Sequence, residues 1–200
     1  FQPKIRLGIL ASGNGSNFEY IIKSIKNKQL NAEISILIVN NPNCLAINKA
    51  IKYDIPYVII NHRNCNSRLE HDILVKKKLE ELSVELVVMA GWMRIVGDEI
   101  INRFNNRLIN IHPSLLPSFK GVDAIQQAID KRVKITGCSV HYVQKEVDSG
   151  SIIIQAAVPL EEQDSKETLR KRIQDMEHII LPIAIAKVAK KIRTSFMGNK

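Results

Sequence analysis

Hydrophobic and polar positions along this chain fall into blocks with two periods. The runs Lys4–Leu10, Glu33–Val39, Tyr57–Ile60 and Glu85–Ala90 are largely continuous in apolar residues rather than alternating. That is the pattern of strands buried on both faces. The stretches between them have helical spacing. From Asn17 to about Asn27, Phe18, Ile21, Ile22 and Ile25 share one face, and Ser16 stands where a cap belongs. Cys44–Tyr53 reads as a second helix with Asn43 as its cap. Ser67–Leu82 reads as a third, with Leu69, Ile73, Leu74 and Leu82 turned inward. Strands that alternate with helices imply right-handed crossovers and a parallel sheet.

The second half has a different rhythm. A short helix near Asp98–Phe104 leads into an apolar strand, Arg107-Leu108-Ile109, which runs on to His112. Ile135–Val143 and Ser151–Val158 read as strands joined by Gln144–Gly150. That connection is too short for a crossover helix, so the two should pair antiparallel. From Ser165 to about Arg193, Leu169, Ile173, Met176, Ile180 and Ile183 keep a helical period, and Pro182 should kink or split the helix. The segment 118–134 declares no element. With no repeat, linker or composition break, the expectation is one α/β domain over residues 1–200. Its single sheet is parallel in the N-terminal half and mixed in the C-terminal half, and a long helix closes it.

Composition narrows the function classes. The 200 residues hold 29 Lys plus Arg against 20 Asp plus Glu, so the net charge is 29 − 20 = +9. A basic chain attracts nucleic acid, acidic membranes or small anions. Here the lysines are scattered, and Lys76-Lys77-Lys78 reads as a solvated helix face. No basic stripe interleaved with aromatics points to nucleic acid. Cys44, Cys65 and Cys138 are odd in number and form no CxxC pair, which disfavours a disulfide framework or structural zinc and suits a reducing, cytoplasmic setting. No signal peptide or membrane-length apolar run is visible.

The most informative stretch is Asn110-Ile111-His112-Pro113-Ser114-Leu115-Leu116-Pro117. Residues two apart on a strand point the same way, so Asn110 and His112 project together at a strand end, where open α/β sheets place ligands. An amide donor for an oxyanion beside an imidazole for protons is a kit for acyl transfer. Gly13-Asn14-Gly15-Ser16-Asn17 joins the first strand to the first helix. It fits a phosphate site at a helix N-terminus and, equally, a tight turn. Gly91–Val96 follows the fourth strand and could wall a pocket, although Trp92, Met93 and Ile95 read first as core. Asp148 sits in the turn sequence Asp148-Ser149-Gly150 and becomes a partner for His112 only if the chain folds back. His141 reads first as an imidazole satisfied on the sheet. Gln174, Glu177 and His178 share a helix face. No spacing argues for a metal, and no cysteine or serine sits in a nucleophile motif.

Together these segments resemble the folate-dependent formyltransferase superfamily, and within it the phosphoribosylglycinamide formyltransferases. The match runs in order through Ser12–Asn17, Ala90–Ile95, Asn110–Pro117, Thr136–His141, Val147–Gly150 and Gln174–Pro182, over essentially the whole chain. The Asn110–Pro117 motif carries the superfamily, and Ser12–Asn17 narrows it. The resemblance implies a Rossmann-like formyltransferase domain with a nucleotide- and phosphate-binding half (3–111) and a folate-binding, closing half (112–200). It also implies transfer of the formyl group of 10-formyltetrahydrofolate to the amine of glycinamide ribonucleotide, in purine biosynthesis, without a metal. Residue by residue, it makes His112 the catalytic imidazole and Asn110 the amide that steadies the tetrahedral intermediate. Asp148 would hold His112 protonated and organise water. Gly15, Ser16 and Asn17 would cradle the substrate phosphate, with Gln174 and Glu177 reaching the nucleotide. Met93, Arg94, Ile95 and Val96 would line the pterin pocket, joined by Gln144, Lys145, Glu146 and Val147, and Arg68 would lie near the folate. Small molecules are the expected partners, with no nucleic acid and no membrane; a homodimer is left open. Trp92 stands where Phe is expected and Val96 where Leu is common, and 118–123 departs from the usual run.

Two relatives compete. Formyltetrahydrofolate deformylase gives the formyl group to water and usually carries an N-terminal regulatory domain. Methionyl-tRNA formyltransferase normally adds a C-terminal tRNA-binding domain. A silent folate- or RNA-binding module is the reading from another class, against which the intact Asn110, His112 and Asp148 stand.

Overall fold

A computed structural model describes residues 3–197; the remaining residues of the expected 1–200 domain lie outside the described residues. The chain alternates β1 (Ile5–Ala11), α1 (Ser16–Lys26), β2 (Ala32–Val39), α2 (Ala46–Tyr53), β3 (Tyr57–Ile59), a 3-10 turn at His62–Asn64, α3 (Arg68–Glu81), β4 (Leu86–Met89), α4 (Asp98–Arg103) and β5 (Leu108–His112). It then runs through α5 (Ala124–Asp130), β6 (Ile135–Tyr142), β7 (Ile152–Pro159) and α6 (Lys166–Met197).

All seven strands form one sheet in the order β3-β2-β1-β4-β5-β6-β7. From β3 to β5 the pairings are parallel. β5–β6 and β6–β7 are antiparallel, as the short connection between the last two strands requires. β1 and β5 are largely buried and β4 is buried along its whole length, whereas β3, expected to be buried on both faces, is an edge strand exposed at Tyr57 and Ile59. One core lies between the sheet and α1, α2 and α6; a second lies under α3 and α4 and includes Val75, Leu79, Trp92 and Phe104.

Strand order fixes where a site can form. After β1 the chain winds outward through β2 and β3, then returns to place β4 on the other flank of β1. The loops leaving β1 and β4 therefore diverge at a topological switch point, the usual crevice for ligands in such sheets. They are laced together there: Ser12 N–H donates to the Gly91 carbonyl at 3.0 Å, and Met93 N–H to Ser12 Oγ at 2.9 Å.

Several local expectations are corrected. The inner face of α3 is His71, Asp72, Val75 and Leu79, while Leu69, Ile73, Leu74 and Leu82 are exposed. The apolar residues were the right cue for a helix and the wrong one for its orientation, because a buried polar pair takes the inner face. Ser16 is the first residue of α1 rather than its cap; Gly15, in the left-handed region at φ 68°, holds the cap position. Asn43 does not cap α2, whose N-cap is Leu45. Segment 118–134 contains α5, a short helix entered through Asp123 at φ 58°. The last helix continues through Pro182, and around it Leu181, Ala184 and Ile185 turn inward while Ile183 is exposed. The three cysteines are free. Among the described residues no helix is long and apolar enough to cross a membrane, and no group of His, Cys, Asp and Glu is arranged to hold a metal ion.

Candidate functional site

A cavity of about 970 Å³ opens over the C-terminal ends of β1, β4 and β5. Its walls come from stretches distant in sequence: Gly13–Asn17 after β1, Met89–Val96 after β4, Asn110–Pro113 ending β5, the hairpin between β6 and β7, and one face of α6. The register sets Tyr142, at the end of β6, beside Ile109 near the start of β5, so the connection that follows must fold back for Asp148 to reach His112.

Two oxygens of one carboxylate organise the polar centre. Asp148 Oδ2 stands 3.3 Å from His112 Nδ1, and Asp148 Oδ1 stands 3.5 Å from His141 Nε2. Gly121 N–H donates to Asp148 Oδ2 at 2.9 Å. Burial pushes the Asp148 carboxyl up, but the hydrogen bonds from His141 and Gly121 and the nearby His112 outweigh it and hold the group below the usual carboxylate value. Asp148 takes a left-handed backbone, φ 50°, at the turn that aims it inward. The geometry thus supplies the fold-back that spacing alone could not.

His112 is clamped from both sides. Its Nε2 donates to the Phe119 carbonyl at 2.8 Å, while Nδ1 faces Asp148. Both ring nitrogens thus face oxygen atoms. Phe119 belongs to a strap, Ser118–Asp123, that crosses the mouth of the site. Ser114 Oγ fastens it by donating to Ser118 O at 2.6 Å, and Gln127 Nε2 donates to Val122 O at 2.9 Å.

Asn110 Nδ2 lies 3.3 Å from His141 Nε2. His141 Nδ1 lies 2.8 Å from the Tyr142 carbonyl, and its Nε2 stands between Asp148 Oδ1 and the Asn110 amide. Asn110 is thereby held against His141 in the cavity wall. His141, read from sequence as a satisfied sheet residue, is therefore part of the polar centre. Its signal was available: the register pairs Asn110 with His141 directly across β5–β6.

The opposite end of the cavity is formed by the glycine turn after β1. Gly13–Ser16 leads into the N-terminus of α1, whose first amides are free to meet a ligand. A Cβ on Gly15 would fall 2.6 Å from Ala46 Cβ, so close packing and the positive φ both demand glycine. Asn17 Nδ2 donates to Glu177 Oε2 at 2.8 Å, joining this turn to α6. Burial pushes the Glu177 carboxyl up to about 7 against that hydrogen bond. Asn17 Oδ1 is buried without a partner. Gln174 and Arg170 line the same wall, and Arg170 is a lining residue that sequence reasoning missed, although it lies one turn before Gln174.

Between these ends, Met93, Arg94, Ile95 and Val96 edge the cavity with Gln144, Lys145 and Val147. Met93 is 80% exposed and Ile95 55%, so they do not pack the core as a lone sequence reading suggested; Trp92 does. The Nε of Arg94 is buried without a partner. Two expected residues stand apart from the lining. Arg68 is exposed at the start of α3, and Glu146 pairs with Lys120 at 3.6 Å.

Residues 5–185 match the family model described as formyl transferase. The chain is 36% identical to the phosphoribosylglycinamide formyltransferase of Bacillus subtilis, over 92% of this chain and 94% of that protein. It is 42% identical to the human trifunctional purine biosynthetic protein adenosine-3, covering 94% of this chain but 19% of that protein, so it spans about a fifth of such multidomain relatives. Among solved structures, glycinamide ribonucleotide transformylase 1 from Symbiobacterium toebii superposes with a TM-score of 0.92 at 37% identity, covering 94% of this chain and 89% of that one. Phosphoribosylglycinamide formyltransferase from Bacillus halodurans gives 0.89 at 41% identity, covering 92% and 94%.

Proposed function

Because the chain belongs to the formyl transferase family, we propose that its cavity transfers the formyl group of 10-formyltetrahydrofolate to the amine of glycinamide ribonucleotide. The observation that carries this reading is the pairing of a phosphate-sized glycine turn at one end of a single cavity with the Asn110, His112 and Asp148 cluster further along it. A cavity of about 970 Å³ has room for more than one small ligand, and two bound substrates turn a collision into a positioned attack.

In the proposed reaction the substrate amine attacks the formyl carbon, and the carbonyl electron pair moves to oxygen. Asn110 donates an N–H to that oxyanion, with its amide oriented by His141. His112, held beside Asp148, would reach the intermediate by releasing its Nε2 from the Phe119 carbonyl. The attacking nitrogen loses a proton and the folate nitrogen gains one as the carbon–nitrogen bond to folate breaks, with Asp148 serving the transfer through water. N-formylglycinamide ribonucleotide and tetrahydrofolate leave. The nucleophile belongs to the substrate, so the lack of an enzymic nucleophile is consistent with the chemistry.

Gly15, Ser16 and Asn17 would hold the substrate phosphate through free amides at the start of α1, with Gln174 and Glu177 at the ribose side. Met93, Arg94, Ile95 and Val96, with Gln144, Lys145 and Val147, would hold the pterin, and Arg68 and Glu146 would meet only parts of the folate that extend beyond the lining. Each half of the chain would then serve both substrates: Gln174 and Glu177 come from the second half, Met93–Val96 from the first.

The test mixes purified protein with 10-formyltetrahydrofolate and follows tetrahydrofolate release with and without glycinamide ribonucleotide. Release that depends on the ribonucleotide and yields its N-formyl product is expected. Equal release without it, giving formate, would establish a deformylase; no release in either case would leave a binding module.

A further inference from the structure

The segment Trp92–Gly97 edges the cavity with side chains that water alone would not keep in place, since Met93 and Ile95 are apolar and exposed. What fixes its course lies behind it, in α3. At the far end, Gly97 N–H donates to Asp72 Oδ2 at 2.7 Å. A Cβ on Gly97 would stand 2.8 Å from that same oxygen, so the backbone reaches the carboxylate only because residue 97 has no side chain. At the near end, the Trp92 ring stacks on His71, with centroids 5.9 Å apart and planes at 22°. His71 is tied in turn: its Nε2 donates to the Ile60 carbonyl at 3.1 Å, and its Nδ1 stands 3.6 Å from Asp72 Oδ1.

Asp72 and His71 are both almost wholly buried, on the inner face of a helix that packs against an apolar sheet. Polar groups are costly there unless they secure something. The only groups in the loop that they secure are the two ends of the cavity edge. We propose that Asp72, supported by His71, is a positioning residue for the folate subsite: it fixes the Trp92–Gly97 backbone so that Met93, Arg94 and Ile95 present themselves to the pterin. This rests on the reading that the loop lines the pterin pocket.

The test compares the wild type with Asp72→Ala and Asp72→Asn. Removing the acceptor frees the Gly97 end of the loop, and a lost buried hydrogen bond to the loop corresponds to about a tenfold rise in the KM for 10-formyltetrahydrofolate. The KM for glycinamide ribonucleotide and kcat should change by less than about twofold, since the opposite wall is untouched. Asparagine keeps an oxygen for Gly97 N–H and turns its amide toward His71 Nδ1, so it should restore the folate KM to near wild type. Trp92 is the chain's only tryptophan, so its emission reads the same loop directly and should shift in Asp72→Ala and return in Asp72→Asn. A merely structural role would lower the melting temperature and leave the folate KM and the emission alike unchanged in the folded variant. Should Asp72→Ala prove too unstable to assay, Gly97→Ala perturbs the contact from the other side and should raise the same KM. An unchanged folate KM in an active, folded variant overturns the proposal alone. An inactive wild type overturns it together with the proposed reaction.

Discussion

Replacing Glu177 by glutamine should make the protein more stable at alkaline pH, which is unusual for a residue that lines a binding cavity. The carboxyl is buried and accepts one hydrogen bond, from Asn17. Burial raises it from an ordinary value of 4.5 to about 7. Between those two values the unfolded chain has given up the proton and the folded chain still holds it. Stability therefore falls as pH rises through this window, and the full loss is about 3 kcal/mol once both states are ionised. Below pH 4.5 both states are protonated and no cost remains. Glutamine has no proton to lose, and its amide oxygen can still accept from Asn17. Urea unfolding of the two proteins at pH 5 and at pH 8 measures the difference, and contributions from all other groups cancel. The variants should lie within about 1 kcal/mol of each other at pH 5, and Glu177→Gln should lead by about 3 kcal/mol at pH 8. Parallel stability profiles, or a glutamine variant that is the weaker of the two at pH 8, would refute the reasoning. On the proposed reading, the carboxylate bears that cost because it contacts the substrate.

Other expectations concern the site itself. His112→Ala, Asn110→Ala and Asp148→Ala should each lower kcat by about 10²- to 10⁴-fold while circular dichroism and substrate binding stay close to wild type; near-normal turnover in His112→Ala would remove it from the reaction. Gly15→Ala forces a left-handed residue and a Cβ 2.6 Å from Ala46 Cβ. It should raise the KM for the phosphorylated substrate by about tenfold or more and destabilise by roughly 1–3 kcal/mol in thermal unfolding. His141→Phe deprives Asp148 of a hydrogen bond that holds its carboxyl low. The acid limb of the kcat profile should move to higher pH, and turnover should fall as the Asn110 amide loses its orientation; an unmoved limb would separate His141 from Asp148.

Much of the fold was legible because its signals are local. Continuous apolar runs gave the buried parallel strands, and the brevity of 144–150 gave the antiparallel pair β6–β7. What escaped depends on partners far away in sequence. The inner face of α3 could not be read from hydrophobicity because His71 and Asp72 are held there by contacts to Ile60, Trp92 and Gly97 on other elements. The helix α5 was hidden because it is short and is entered through a left-handed Asp123 rather than a conventional cap. In the site, Asn110 and His112 were readable from the period of one strand. Their partner His141 became so only with the register of β5 on β6, and Asp148 only with the fold-back of the connection that carries it. Arg68, expected near the folate, lies outside the lining, since its place at the start of α3 turns it to solvent.

The hydrogen bond from Asn17 to Glu177 links the first helix to the last, across 160 positions of sequence. Any ligand seated against both residues would therefore fasten α1 to α6 like a clasp, and separating the two helices would first have to release it. Binding of this kind stabilises the closed molecule by mass action. Where degradation proceeds through transient opening, the lifetime of the protein then rises and falls with the concentration of the small molecule it holds. On the proposed reading, this link between helices would tie the protein's persistence to the supply of its substrate.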